Sequence, residues 1–141
     1  MNPTMRKFGY PDTLVREFDH WVVLARPAQV TLGSLVLAAK SDATAYSGLP
    51  PEAFAEQGDV VRAIESALLE FCDYERINYL MLMMVDAQVH FHVIPRYSEP
   101  RQWEGTAFPD GGWPGVPQLK LAVELDLAQV TTIREQLKRL F

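Results

Sequence analysis

The hydrophobic pattern of this chain changes its period at Pro51, and this change limits the fold more than any other feature of the sequence. Before Pro51, three short runs rich in valine and leucine are typical of strands. From Pro51 to Cys72 the apolar residues recur at helical spacing, and acidic residues occupy the first turns. Two β-rich runs follow, at 77–84 and 88–97. Strands on both sides of one long helix predict an α+β domain.

The arrangement of these runs predicts an antiparallel sheet. The three early runs cover residues 13–19, 21–27 and 33–40, and a segment with proline and glycine bends the chain back between the last two. An antiparallel meander is the simplest path for such runs. The two later runs are separated by three residues that include Asp86, which predicts a hairpin. We therefore expect a meander sheet of about five strands with the long helix on one face.

The last third of the chain is less regular. Residues 98–118 are rich in proline and glycine, and an irregular segment of about twenty residues is typical of a binding loop or of a rigid wrap-around arm. Residues 119–126 predict a short strand, and the apolar pattern that follows predicts a closing helix with Asp126 as its N-cap. Residues 1–141 are expected to form a single domain.

Composition excludes some classes of partner. A net charge of -5 and a pI near 5.1 argue against a basic surface for nucleic acid, although a small anionic ligand needs only a few donors. No apolar run approaches the ~20 residues of a membrane span, and the N-terminus lacks the pattern of a signal peptide, so a cytoplasmic location is expected. Four sulfur-containing residues are expected to have structural roles in the core: Cys72, Met81, Met83 and Met84.

The stretch QVHFHVIPRY, residues 88–97, carries two of the three histidines. Alternate side chains of a strand point to opposite faces. One face therefore receives a polar set and the other an apolar set: Gln88, His90 and His92 against Val89, Phe91 and Val93. Packing against the helix does not require the imidazoles.

Neutral imidazole is both a nucleophile and a metal ligand, so two kinds of chemistry remain open for this strand. A metal site would need a third ligand such as His20, Asp86 or Glu99, and none stands in a close motif with the strand. A nucleophile needs one oriented imidazole, a neighbouring donor and groups that neutralise charge.

The stretch QVHFHVIPR resembles the signature of the histidine triad family, H-x-H-x-H followed by two apolar residues and often Pro-Arg. The resemblance covers residues 12–97, and the later GGWPG is similar to the tryptophan-proline ending of the Hint branch. It implies a nucleotide hydrolase or nucleotidyl transferase that acts at an α-phosphate through a nucleotidyl-histidine intermediate. By position, His90 is the nucleophile, His92 bonds the phosphate or the leaving group, and Gln88 occupies the first triad position.

The same resemblance implies four residues that contact the substrate: His20, Asn78, Arg96 and Trp113. It also implies a homodimer. The covalent step would need no metal cofactor, and bound Mg²⁺ would help to neutralise the phosphates.

Two departures from the family pattern leave other hypotheses open. Gln88 cannot carry a proton as an imidazolium does, and the residues between the last two strands are fewer than in many members. A second hypothesis is therefore a nucleotide-binding protein without turnover. A third is a small metal-binding β protein that uses His20, His90 and His92.

Overall fold

A computed structural model describes residues 1–141. It contains three α-helices, one short 3-10 helix at Tyr46–Gly48 and nine strands. In chain order these are α1 (Pro3–Lys7), β1 (Leu14–Glu17), β2 (Trp21–Ala25), β3 (Ala28–Gln29), β4 (Leu35–Ala39), α2 (Pro51–Cys72), β5 (Arg76–Leu80), β6 (His90–Arg96), β7 (Arg101–Trp103), β8 (Thr106–Phe108), β9 (Val123–Glu124) and α3 (Leu127–Lys138). None of the helices combines the length and apolar character that a membrane span needs.

The main sheet has five antiparallel strands in the order β1-β2-β4-β6-β5. This confirms the predicted α+β fold and the meander of the first three strands. The last two strands depart from a simple meander, because β6 lies between β4 and β5. After α2 the chain enters the sheet at its edge as β5. It then turns back, and β6 fills the position between β5 and β4.

The α2 face of the sheet holds the main core. Strand residues Leu37, Phe91 and Val93 join helix residues Ile64 and Leu68 in one buried apolar cluster. The alternation of β6 thus places its apolar set against α2, as predicted. Cys72 at the end of α2 is buried and free, and burial raises its pKa to about 12, which fits the predicted structural role.

The opposite face carries a smaller apolar cluster, which α1 covers. Met5 packs on four buried residues of β2 and β4: Val22, Leu24, Val36 and Ala38. Asn2 begins the helix, since its side chain accepts from the Met5 amide at 2.9 Å and donates to the Ala39 carbonyl at 2.8 Å. The sequence analysis assigned no element to these residues, although Asn2 and Pro3 are a cap and a first-turn proline.

The predicted three-residue turn between the last two strands is wrong. β5 ends at Leu80, and residues 81–89 connect it to β6. Within this connection the backbone of Met83 takes a left-handed conformation with φ of 41°. Met81 and Met83 pack partly against the core, whereas Met84 is 83% exposed, so the predicted core role of Met84 is also wrong.

The prediction for residues 98–118 is wrong in part, because β7 and β8 form a hairpin there. Its two-residue turn has positive φ at Glu104 (50°) and Gly105 (76°), which matches the twist of a hairpin. The strand predicted at 119–126 shortens to β9, which pairs with β3. The closing helix is confirmed with its cap, since Asp126 and Gln129 form a reciprocal capping box.

Candidate active site

Strand β6 places His90 and His92 side by side on the face opposite α2. In the ladder with β4, His90 lies across from Ala38 and His92 across from Val36. The two ring centroids are 5.2 Å apart with an angle of 83° between the planes. Both residues are buried, with 2% of His90 and 8% of His92 exposed. The predicted placement of this histidine pair is therefore confirmed.

One contact defines which nitrogen of His90 carries a proton. The Nδ1 atom lies 2.8 Å from the backbone carbonyl oxygen of Gln88. A carbonyl only accepts, so Nδ1–H is the donor. In the neutral ring this leaves the lone pair on Nε2, which is the form that a nucleophile needs.

A second contact sets the opposite tautomer for His92. Its Nδ1 atom lies 3.5 Å from Nη1 of Arg26, a long contact. A guanidinium only donates, so neutral His92 carries its proton on Nε2 and offers a donor there. Burial, followed by the charges of Arg26 and His90, lowers the pKa of His92 to about 4. His92 is therefore neutral at pH 7.

The depressed pKa of His92 predicts a pH-dependent stability. The unfolded chain binds the proton near the ordinary pKa of 6.5, whereas the folded chain resists it down to about 4. The contribution of neutral His92 is thus complete above pH 6.5 and is lost as the pH falls towards 4. We expect the free energy of unfolding to fall by about 3 kcal/mol over this window from this group. Urea unfolding at several pH values measures it.

The control for this prediction is the His92→Gln variant, which lacks the titrating ring but keeps a polar side chain. Carboxylates titrate in the same window in both proteins, so the difference between the two pH profiles isolates His92. Parallel profiles for wild type and variant would contradict the prediction.

Gln88 acts on the site mainly through its backbone. Its carbonyl holds His90, while its side-chain oxygen accepts from the Thr4 hydroxyl at 2.6 Å. The side-chain amide of Gln88 is therefore tied to α1. The sequence pattern does not predict this contact, because Thr4 lies in a helix too short to produce a helical period.

An N-terminal segment, residues 2–8, closes over the histidine pair. The ring of Phe8 lies 5.5 Å from His90 and 5.4 Å from His92, measured between centroids. Lys7 adds a 3.8 Å contact to Asp86 of the β5–β6 connection. The Phe8 ring thus covers both imidazoles, which are 2% and 8% exposed.

Removal of the Phe8 ring is expected to open the site. We expect the Phe8→Ala variant to react several-fold faster with diethyl pyrocarbonate at His90 and His92, because their main aromatic neighbour is gone. Peptide mass spectrometry measures each site, and the partly exposed His20 serves as internal reference. The matched control is Phe54→Ala, which removes a ring from α2. Equal rates in Phe8→Ala and wild type would show that other groups shield the pair.

Three predicted substrate contacts meet elsewhere. Asn78, Arg96 and Trp113 line a cavity of about 810 Å³ along β5. Arg96 already donates to the Asn78 side chain at 2.7 Å, to both oxygens of Asp110 and to the Gly115 carbonyl. The histidines do not line this cavity, although Leu80, which pairs with His92 across the ladder, does.

His20 lies in the turn between β1 and β2, away from the pair. Its backbone amide donates to Glu56 at 2.8 Å, and its side chain makes no hydrogen bond to the pair. No group of three or more histidine, cysteine or acidic side chains is arranged to hold a metal ion. The structure therefore gives no support to the third hypothesis, in which His20 joins the pair as a metal ligand.

Arg26 is the residue at this site that the sequence analysis missed. It follows β2 directly and continues the alternation of Val22 and Leu24, which places it on the face of the histidine pair. That alternation was the available signal. A charged residue in line with the buried side chains of a strand indicates a functional role, because packing does not require its charge.

Comparisons with known proteins support the fold. No family model and no curated protein matches the chain. Similar solved structures include a histidine triad protein from Sinorhizobium meliloti (19% identity, 100% of this chain and 96% of that chain, TM-score 0.75). Others are a histidine triad protein from Bradyrhizobium japonicum (18%, 99% and 95%, 0.70) and the diadenosine triphosphate hydrolase of Plasmodium falciparum (10%, 92% and 76%, 0.66).

The solved structures that resemble this chain are consistently histidine triad proteins. The five-stranded sheet and its helices match theirs over nearly the whole chain. The chain therefore has the histidine triad fold.

Proposed function

We propose that this protein is a nucleotide hydrolase or nucleotidyl transferase that acts at an α-phosphate through a nucleotidyl-histidine intermediate, with His90 as the nucleophile. The observation that carries the proposal is the 2.8 Å contact between His90 Nδ1 and the Gln88 carbonyl, which leaves Nε2 free to attack. The histidine triad fold supports it, and one protein of that fold is a diadenosine triphosphate hydrolase.

The proposed reaction has two displacements. Nε2 of His90 attacks the α-phosphorus, and the bond from phosphorus to the leaving group breaks. The Gln88 carbonyl accepts from Nδ1–H and stabilises the positive ring. His92 donates from Nε2 to a phosphate oxygen or to the leaving group. The leaving group departs with the electron pair of its bond and takes up a proton from water. Water or an acceptor then attacks the phosphorus, the N–P bond breaks with its electron pair returning to Nε2 of His90, and the proton of the attacking group passes to solvent.

The test uses AMP esters, AMP amidates and dinucleoside polyphosphates with three proteins. Wild type is expected to release AMP and to yield a protein adduct with the mass of one nucleotidyl group. The His90→Ala variant is expected to do neither, and the control variant Phe54→Ala, altered on the surface of α2, to behave as wild type. Turnover that survives His90→Ala would overturn the assignment of the nucleophile.

A nucleotide-binding protein without turnover is the second candidate. Two observations favour it: Phe8 covers the pair, and Gln88 replaces an imidazole that could carry a proton. Nucleotide binding by wild type with no product and no adduct would support this candidate over the first.

The other substrate contacts remain predictions. Asn78, Arg96 and Trp113 share one cavity, so we propose that a distal part of the substrate lies there, and that His20 borders the site from the β1–β2 turn. The covalent step is proposed to need no metal, with Mg²⁺ neutralising phosphates where it binds. Turnover that is lost in EDTA and restored by Mg²⁺ would overturn the proposal that the covalent step needs no metal.

We also propose a homodimer and a cytoplasmic location. β5 is an edge strand of the sheet, and an edge presents backbone groups that a second copy can pair with. Sedimentation equilibrium tests the dimer, and a monomer at micromolar concentration would overturn it. The single cysteine, free and buried, is consistent with a reducing compartment, which cell fractionation tests.

A further inference from the structure

The side chains of Gln88, His90 and His92 bring no positive charge to an anionic substrate. His90 must be neutral to attack, and His92 is held neutral. The Gln88 amide is neutral at every pH. A phosphate that gains charge in the transition state needs preorganised positive groups. The residues carried over from the triad signature therefore leave one requirement of the site unmet.

Arg26 is the one cation that contacts the pair. Its backbone amide donates to the Ser34 carbonyl at 3.1 Å, which continues the ladder past β2. The side chain then reaches across the sheet to His92, where Nη1 lies 3.5 Å from Nδ1. Its other guanidinium N–H groups donate to no protein atom, and none of them is sealed from solvent.

The electrostatics of Arg26 differ from those of Arg96, which also lies on this face. Arg96 is paired with the Asp110 carboxylate at 2.7 Å, whereas Arg26 forms no ion pair. Burial lowers the pKa of Arg26 and the charge of Glu124 opposes this shift, in keeping with the partial burial of the guanidinium. A half-buried guanidinium with unused donors is a group that an anionic ligand would complete.

We propose that Arg26 binds a phosphate oxygen of the nucleotide and supplies the positive charge that Gln88 and His92 lack. It acts beside His92, so that the phosphate receives one donor from the imidazole and one from the guanidinium. The nature of the ligand rests on the proposed function. The role of Arg26 in anion binding rests on its own contacts and is tested by binding rather than by turnover.

The experiment compares mononucleotides with the matching nucleosides by titration calorimetry. The ligands are AMP, GMP, CMP and UMP, each paired with its uncharged nucleoside. We expect Arg26→Met, which keeps an apolar stem, to weaken binding of the preferred mononucleotide roughly 10- to 100-fold, as expected for a hydrogen bond to a charged group. Nucleoside binding should be unchanged, and Arg26→Lys should recover part of the loss.

The matched control is Arg62→Gln, which removes an exposed cation of α2, away from the histidine pair. Its mononucleotide affinity is expected to stay within about twofold of wild type, because exposed charges are screened. Thermal unfolding of each variant separates a folding defect from a binding defect.

Several outcomes would overturn the inference. These are unchanged mononucleotide binding in Arg26→Met, equal weakening of nucleoside and mononucleotide, or a loss of the same size in Arg62→Gln. Absence of nucleotide binding by wild type would overturn both this inference and the proposed function. Turnover of His90→Ala at the wild-type rate would overturn only the assignment of His90 as the nucleophile. The inference about Arg26 would not be affected.

Discussion

The His90→Ala variant is expected to lose at least about a thousandfold in kcat on the preferred nucleotide substrate, with mononucleotide affinity nearly unchanged. Removal of a nucleophile eliminates the covalent route rather than weakening it, and comparable substitutions cost enzymes several orders of magnitude. His92 cannot replace it, because its contact with Arg26 places the lone pair on Nδ1 and the proton on Nε2. Steady-state kinetics at saturating substrate measures the effect.

The control for this prediction is His92→Ala, which removes a donor and leaves the nucleophile in place. The expected loss in kcat is about 10²–10³-fold, as for one preorganised donor to a developing anion. The adduct should still form in this variant, more slowly. An activity of His90→Ala within tenfold of wild type, or a larger loss in His92→Ala than in His90→Ala, would contradict the assigned roles.

The sequence predicted the part of the site that depends on local geometry alone. Alternation along a strand is fixed by the backbone, so QVHFHVIPRY was enough to place His90 and His92 together, opposite the apolar set. The change of period at Pro51 was equally local, and α2 begins and ends where the pattern does. These predictions needed no knowledge of which elements meet in space.

The rest of the site depends on tertiary contacts that no local pattern contains. α1 has only five residues, too few to produce a helical period, and it is held by Asn2 and Met5 against strands far along the chain. α1 carries Thr4 and leads to Phe8. The hydrogen bond of the Gln88 side chain and the position of Phe8 over the histidine pair could therefore not be predicted from the sequence.

Alternation along β6 gives the face on which Arg96 lies but not the partners of its side chain. Alternation places Arg96 on the side of the histidine pair, but a loop that follows β8 brings Asp110 against it. Asp110 accepts from Arg96 through both carboxylate oxygens and also from the backbone amides of Tyr97 and Gly112. A side chain with this many partners ties the loop containing Trp113 to the sheet.

The Asp110→Ala variant is therefore expected to lose about 3–5 kcal/mol in free energy of unfolding. The side chains of Arg96 and Asp110 are only 5% and 1% exposed, so the substitution leaves a buried guanidinium without its counter-charge. Two backbone amides lose their acceptor as well. Urea unfolding with a common slope measures the loss as a shift of the midpoint.

The matched control is Asp59→Ala, which breaks an ion pair with Arg62 on the surface of α2. The Arg62–Asp59 distance is 2.6 Å, as short as in the buried pair, but the side chains are 74% and 75% exposed. We expect a loss below about 1 kcal/mol there, because water replaces the partner. The distance alone would predict equal losses in the two variants. Equal losses would therefore mean that burial of Arg96 does not determine its energetics, and that its charge remains available to a ligand in the β5 cavity.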